Sequence, residues 1–168
     1  MNSIIIKELK KTFNSIEGYV IIFIFLLING LALWVFPDPS PNIFEDGFAT
    51  LDNFFQLNLF LFLFFIPIIT MGTISEERKM QTLELLLTKP ISPTLIIFGK
   101  FLSCFFLTIG MLLPTFIYVF CTYNLSNGSI DFGATFCGYL GLFLLSCLYI
   151  SIGIFCSSLT KRQLISFI

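Results

Sequence analysis

The side chains able to do chemistry in this chain are few, and the densest set lies in the run SEERKMQTLELLLTKPISP, from Ser75 to Pro93. Glu76 and Glu77 are adjacent carboxylates, Arg78 and Lys79 follow at once, and Thr82, Leu83 and Glu84 open a leucine-rich stretch. Adjacent carboxylates can serve acid–base chemistry only beside a partner held in a cleft. The 168 residues contain no histidine, which removes Ser/His/Asp, Cys/His and HExxH arrangements together. The other acidic pair, Glu45-Asp46, belongs to a connecting stretch, where solvation accounts for it. The only GK, Gly99-Lys100, lies inside an apolar run and is followed by Phe101, so it lacks the loop that cradles phosphate. Cys104, Cys121, Cys137, Cys147 and Cys156 lie within or at the edge of apolar runs, none in a CxxC, as small apolar fillers would. The expectation is a chain that is not an enzyme and holds no cofactor or metal. Any nucleotide hydrolysis it depends on has to occur on another polypeptide.

The elements that position the polar run are hydrophobic. Hydrophobic residues make up 57% of the sequence and charged residues 11%, against about 25% charged in a soluble domain. A net charge of −1 gives no basic field for nucleic acid. The 23 phenylalanines are expected to be mostly lipid-facing bulk. A spanning helix needs about 20 apolar residues for about 30 Å of hydrocarbon, and four stretches qualify: residues 19–36, 54–74, 95–118 and 132–159. The reading is an all-α, polytopic membrane protein, one transmembrane domain over residues 1–168.

Charge fixes its orientation. Lys7, Lys10 and Lys11 precede the first span, and the first connection holds Asp38, Glu45, Asp46 and Asp52 without a basic residue. Arg78, Lys79 and Lys89 fill the second connection, the third has only Asp131, and Lys161 and Arg162 follow the fourth span. The positive-inside rule therefore puts both termini and the second connection in the cytoplasm. Tyr19 and Trp34 stand at the two ends of the first span, where aromatic belts belong. Its bulky end, Trp34-Val35-Phe36, lacks a small-residue cleavage site, so it is expected to stay as an anchor rather than leave as a signal peptide.

Two further helices are expected on the cytoplasmic side. Over residues 3–15, Ile5, Leu9 and Phe13 recur every fourth residue with lysines elsewhere, the pattern of a helix lying in the leaflet plane. Over residues 75–89, Ser75 stands as the N-cap with Glu76 and Glu77 in the first turn. Met80, Leu83 and Leu87 share a face, and Pro90 ends the helix. Ser92 and Pro93 then start the next span. By pattern alone, this helix equally well floats on the headgroups with its charges solvated.

The run EERKMQTLELLLTKPIS followed by LIIFGKFL resembles the signature of ABC-2 type transporter permeases: an acidic–basic cluster, TLELLL, a Thr or Ser, a Pro and a GK-containing span. The opening IIIKELKKTFNSIEGYVIIFIFLLINGLALWVF is similar to the same permeases, most of all the gliding-motility permeases of the GldF type. The likeness covers essentially the whole chain and implies an exporter-like transmembrane domain in a bacterial inner membrane. It also implies docking of the cytoplasmic helix on a separate ABC ATPase subunit through Glu76, Glu77, Arg78, Thr82, Leu83 and Glu84, and pairing as a homo- or heterodimer. Two departures stand out. Gln81 replaces a common Gly, and about four spans are present of the about six usual in the family, so the expectation is either a truncated permease or fragment, or a remainder supplied elsewhere.

Polar residues inside the spans complete the reading, since unpaired they are costly in lipid. Lys100 is expected to snorkel to the cytoplasmic interface, and Asn29, Gln56 and Asn58 to bond between helices. Pro67 and Pro114 should kink their spans. The pairs Gly99/Ser103, Ala134/Gly138 and Gly153/Ser157 suit close helix packing or a homodimer face. The alternative function is a small structural or assembly membrane protein without transport. A channel would want a polar stripe along one span, and none is present.

Overall fold

The computed structural model describes residues 16–34, 51–79, 93–125 and 131–159, and every regular element among them is helical. In hydrocarbon no water is available to the backbone, so an apolar run has to bond its own peptide groups, and a helix does so within one segment. Helix α1 covers Ile16–Trp34 and α2 Asp52–Lys79. Helix α3 covers Pro93–Leu112, a 3-10 turn Leu113–Thr115, α4 Phe116–Leu125 and α5 Phe132–Leu159. The stretches Asp52–Ser75, Thr94–Asn124 and Phe132–Leu159 are each long and apolar enough to cross a membrane. Helix α1 has 19 residues, about 28 Å at 1.5 Å per residue, at the lower end of spanning length. The interfacial helix expected over residues 3–15 lies outside the described residues, as does most of the cytoplasmic helix expected over 75–89.

Local chemistry explains the ends and breaks. Pro93 occupies the first position of α3, where its missing N–H removes nothing from the ladder. Pro114 falls in the 3-10 turn that divides the third apolar run into α3 and α4. Pro67, by contrast, sits inside α2, which continues past it. Asp131 caps α5: its Oδ1 accepts from the N–H groups of Gly133 at 2.9 Å and Ala134 at 3.2 Å. In the sequence this residue shows only as a loop charge.

Helix α5 packs most extensively against α2. Its buried face runs Thr135, Tyr139, Leu142, Ser146, Ile150, Gly153, Ile154 and Ser157, while Phe136, Leu140, Leu144, Leu148, Ile152 and Phe155 are exposed. The small and polar residues Thr135, Ser146, Gly153 and Ser157 thus share the inward face with Tyr139, Leu142, Ile150 and Ile154. Burial in lipid confers no hydrophobic advantage, so close approach and hydrogen bonds decide which face turns in. A Cβ on Gly138 would stand 2.5 Å from the Phe55 ring, and one on Gly153 would stand 2.8 Å from Cβ of Thr70. These glycines therefore seat α2 closely within one chain.

Phenylalanine serves both sides. Phe23, Phe60, Phe98, Phe136 and Phe155 are exposed as expected, but Phe25, Phe54 and Phe62 are fully buried. Phe54, Phe55, Phe116, Tyr118 and Tyr139 gather where α2 and α5 begin, with the Phe116 and Tyr139 rings stacked at 4.7 Å. Thr115 Oγ1 and the Tyr139 hydroxyl lie 3.0 Å apart in the same cluster. This ring cluster ties the 3-10 turn to the start of α5.

Candidate functional site

Of the residues implicated by the sequence, Glu76, Glu77 and Arg78 lie in the last turn of α2, and Thr82, Leu83 and Glu84 fall outside the described residues. The helix break expected at Ser75 is absent. Ser75 is buried in the body of α2, and its hydroxyl donates back to the carbonyl of Met71 instead of capping a new helix. The reason is local. Nothing between Ile74 and Lys79 interrupts helical geometry, and a Ser four residues after a carbonyl can bond it without leaving the helix. The acidic–basic cluster is thus a continuation of the second span.

Beneath it lies the most polar place in the described bundle. Thr70 donates to the Ile66 carbonyl at 3.0 Å and Thr73 to the Thr70 carbonyl at 2.8 Å. From α5, Ser157 Oγ donates to the Met71 carbonyl at 3.0 Å and accepts from the N–H groups of Ile74 and Ser75, both at 3.2 Å. Those two N–H groups have Thr70 and Met71 carbonyls as their regular helical acceptors. A side chain from a neighbouring helix therefore lies directly over the ladder of α2.

Lys100 completes this turn from α3. Its Nζ donates to the carbonyl of Thr73 at 2.6 Å, and the residue is 1% exposed. The expectation that it snorkels out to the interface is therefore corrected. A carbonyl of α2 lies within reach and already binds the ammonium, so the stem does not extend to water. Charge-assisted bonds of this kind are stronger than neutral ones, which suits a cation held away from solvent.

The amides divide as well. Asn58 Nδ2 donates to Asn29 Oδ1 at 2.9 Å and to the Phe54 carbonyl at 2.8 Å, while Asn29 Nδ2 donates to the Phe25 carbonyl at 3.0 Å. Both residues are fully buried, so the interhelical bond expected of them joins α1 to α2. Asn58 Oδ1 is buried without a protein partner. Gln56 is exposed on α2 and takes no place in that pair. The five cysteines are free thiols. An open apolar groove of about 420 Å³, lined by Thr94, Ile97, Phe98, Phe101, Ser151 and Ile154, separates the facing surfaces of α3 and α5, with no charged group in its lining.

What the arrangement can do is mechanical. A long apolar helix runs on without a break into its charged end, and helices from two other parts of the chain hold it just before that end. A family model described as ABC-2 family transporter protein matches residues 2–166. No curated protein and no solved structure matches the chain.

Proposed function

The chain belongs to the ABC-2 transporter family, and from that membership we propose that it couples ATP hydrolysis by a separate ATPase subunit to export across a bacterial cytoplasmic membrane. The alternation of basic and acidic connections supports a topology in which the end of α2 and both termini face the cytoplasm. Two permease subunits, alike or related, sit on two ATPase subunits. Likeness of the opening segment to gliding-motility permeases supports a role in that process.

The observation that carries the coupling reading is the continuity of α2 through the acidic–basic cluster. Its 28 residues make a rod of about 42 Å, longer than the roughly 30 Å hydrocarbon layer. A push on Glu76, Glu77 and Arg78 is therefore a push on the whole second span. Thr82, Leu83 and Glu84 extend the contact: Leu83 seats in an apolar groove of the ATPase, and the charges around it fix register.

Co-purification of the permease with its co-expressed Walker-A ATPase tests the reading. Leu83→Asp and Glu84→Lys are each expected to insert normally while reducing ATPase recovery by about tenfold, the cost of an unpaired charge at a contact. Undiminished recovery with both variants sinks it. If the unaltered chain recovers no ATPase at all, the structural or assembly role replaces transport.

A further inference from the structure

We infer that Lys100 and Ser157 are positioning residues that lock the exit of the second span to the third and fourth, so that movement delivered at Glu76–Lys79 reaches three helices as one body. This rests on the coupling reading above. The argument begins with what α2 needs at this point. Pro67 supplies no N–H, and the Thr70, Thr73 and Ser75 hydroxyls compete with backbone N–H groups for the carbonyls of Ile66, Thr70 and Met71. Both features loosen a helix, and side-chain insertion into the ladder is a recognised cause of bending. A rod with such a joint just inside its driven end bends there, and its motion is lost before it reaches the rest of the bundle.

The neighbouring helices supply the missing stiffness. Ser157 bridges one carbonyl and two N–H groups of consecutive turns, Met71, Ile74 and Ser75. Gly153, one turn earlier on α5, makes that approach possible, because a Cβ there would stand 2.8 Å from Thr70 Cβ. Lys100 reaches the same turn from α3, through the Thr73 carbonyl. Among the described residues no other helical turn has its backbone bonded by side chains from two other helices. Thr73 and Lys100 also lie on opposite sides of the polar connection in sequence.

The test uses the full-length chain in nanodiscs, alone and with its ATPase. In the permease alone, Ser157→Ala is expected to speed amide hydrogen exchange at Ile74 and Ser75 about fivefold, the effect of one lost bond. Ser146→Ala, whose hydroxyl bonds only the Phe143 carbonyl of its own helix, should leave both amides unchanged. With the ATPase bound, Ser157→Ala and Lys100→Met should keep co-purification but lose most of the permease-dependent change in hydrolysis rate. Lys100→Arg, which keeps a cationic donor, should restore it. Unchanged exchange in Ser157→Ala overturns the lock, whatever the ATPase does. Normal hydrolysis response in both Ser157→Ala and Lys100→Met overturns the positioning role and leaves the coupling reading standing. Failure of the unaltered chain to bind ATPase overturns both.

Discussion

An amide buried in an apolar helix bundle has no water to return to, and Asn29 and Asn58 solve this as a pair. Each spends one Nδ2 hydrogen bond on the carbonyl four residues back in its own helix, and Asn58 has a second donor left for Asn29. Asn58→Leu leaves Asn29 Oδ1 without a donor and is expected to cost about 1 kcal/mol, within the range for interhelical bonds in lipid. The Asn29→Leu/Asn58→Leu double variant should recover much of that, since no polar atom is then left alone. Steric-trapping measurements of unfolding in bicelles read both values. Strict additivity of the two single changes would show that the pair does not interact. That these residues bond between helices is legible in the sequence because a polar amide in an apolar run has few alternatives. Which of the three candidates pair is not legible, since it depends on helix rotation, and Gln56 was turned outward by it.

Helix α5 shows how an element finds its partner when every face is apolar. Its glycines differ in role, although their sequence surroundings are alike. Gly138 and Gly153 lie against Phe55 and Thr70 of α2, whereas Gly141 has nothing near its Cβ position. Gly153→Ala and Gly138→Ala should therefore each destabilise by about 1–3 kcal/mol through overpacking. Gly141→Ala should be neutral or stabilise by up to about 1 kcal/mol, because alanine is the better helix former. Thermal unfolding in detergent orders the three variants. Destabilisation by Gly141→Ala as large as that by Gly153→Ala would contradict the packing described. Length is a second property of elements with consequences here. A cap at Ser75 was a sound expectation from residue type, yet the hydroxyl found an acceptor in the preceding turn, and α2 runs on to Lys79.

For the molecule as a whole, the prediction concerns sidedness. In a background lacking the five native cysteines, a cysteine at Lys79 should react with a membrane-impermeant maleimide only after the inner membrane is opened. A cysteine at Asp46 should react in intact spheroplasts. Labelling of the Lys79 position from outside would reverse the topology, and with it any contact between the acidic–basic cluster and a cytoplasmic ATPase. The proposed division of labour follows from that topology: the polar interruption faces water and an engine, and the bundle beneath it converts displacement into rearrangement of spans.

Sequence alone determined that the chain is helical and spans a membrane, because an apolar run in lipid has a single economical way to satisfy its backbone. It also carried the family likeness, which runs through the opening segment and the TLELLL stretch alike. Tertiary structure decided which faces meet. It turned Gly153 and Ser157 toward α2, buried Lys100 against the Thr73 carbonyl and sent bulky phenylalanines both inward and outward. The physical reason is that lipid and helix interior are equally apolar. Hydrophobic pattern therefore cannot rotate a helix, and the choice falls to close packing of small residues and a handful of hydrogen bonds that exist only once the helices are side by side.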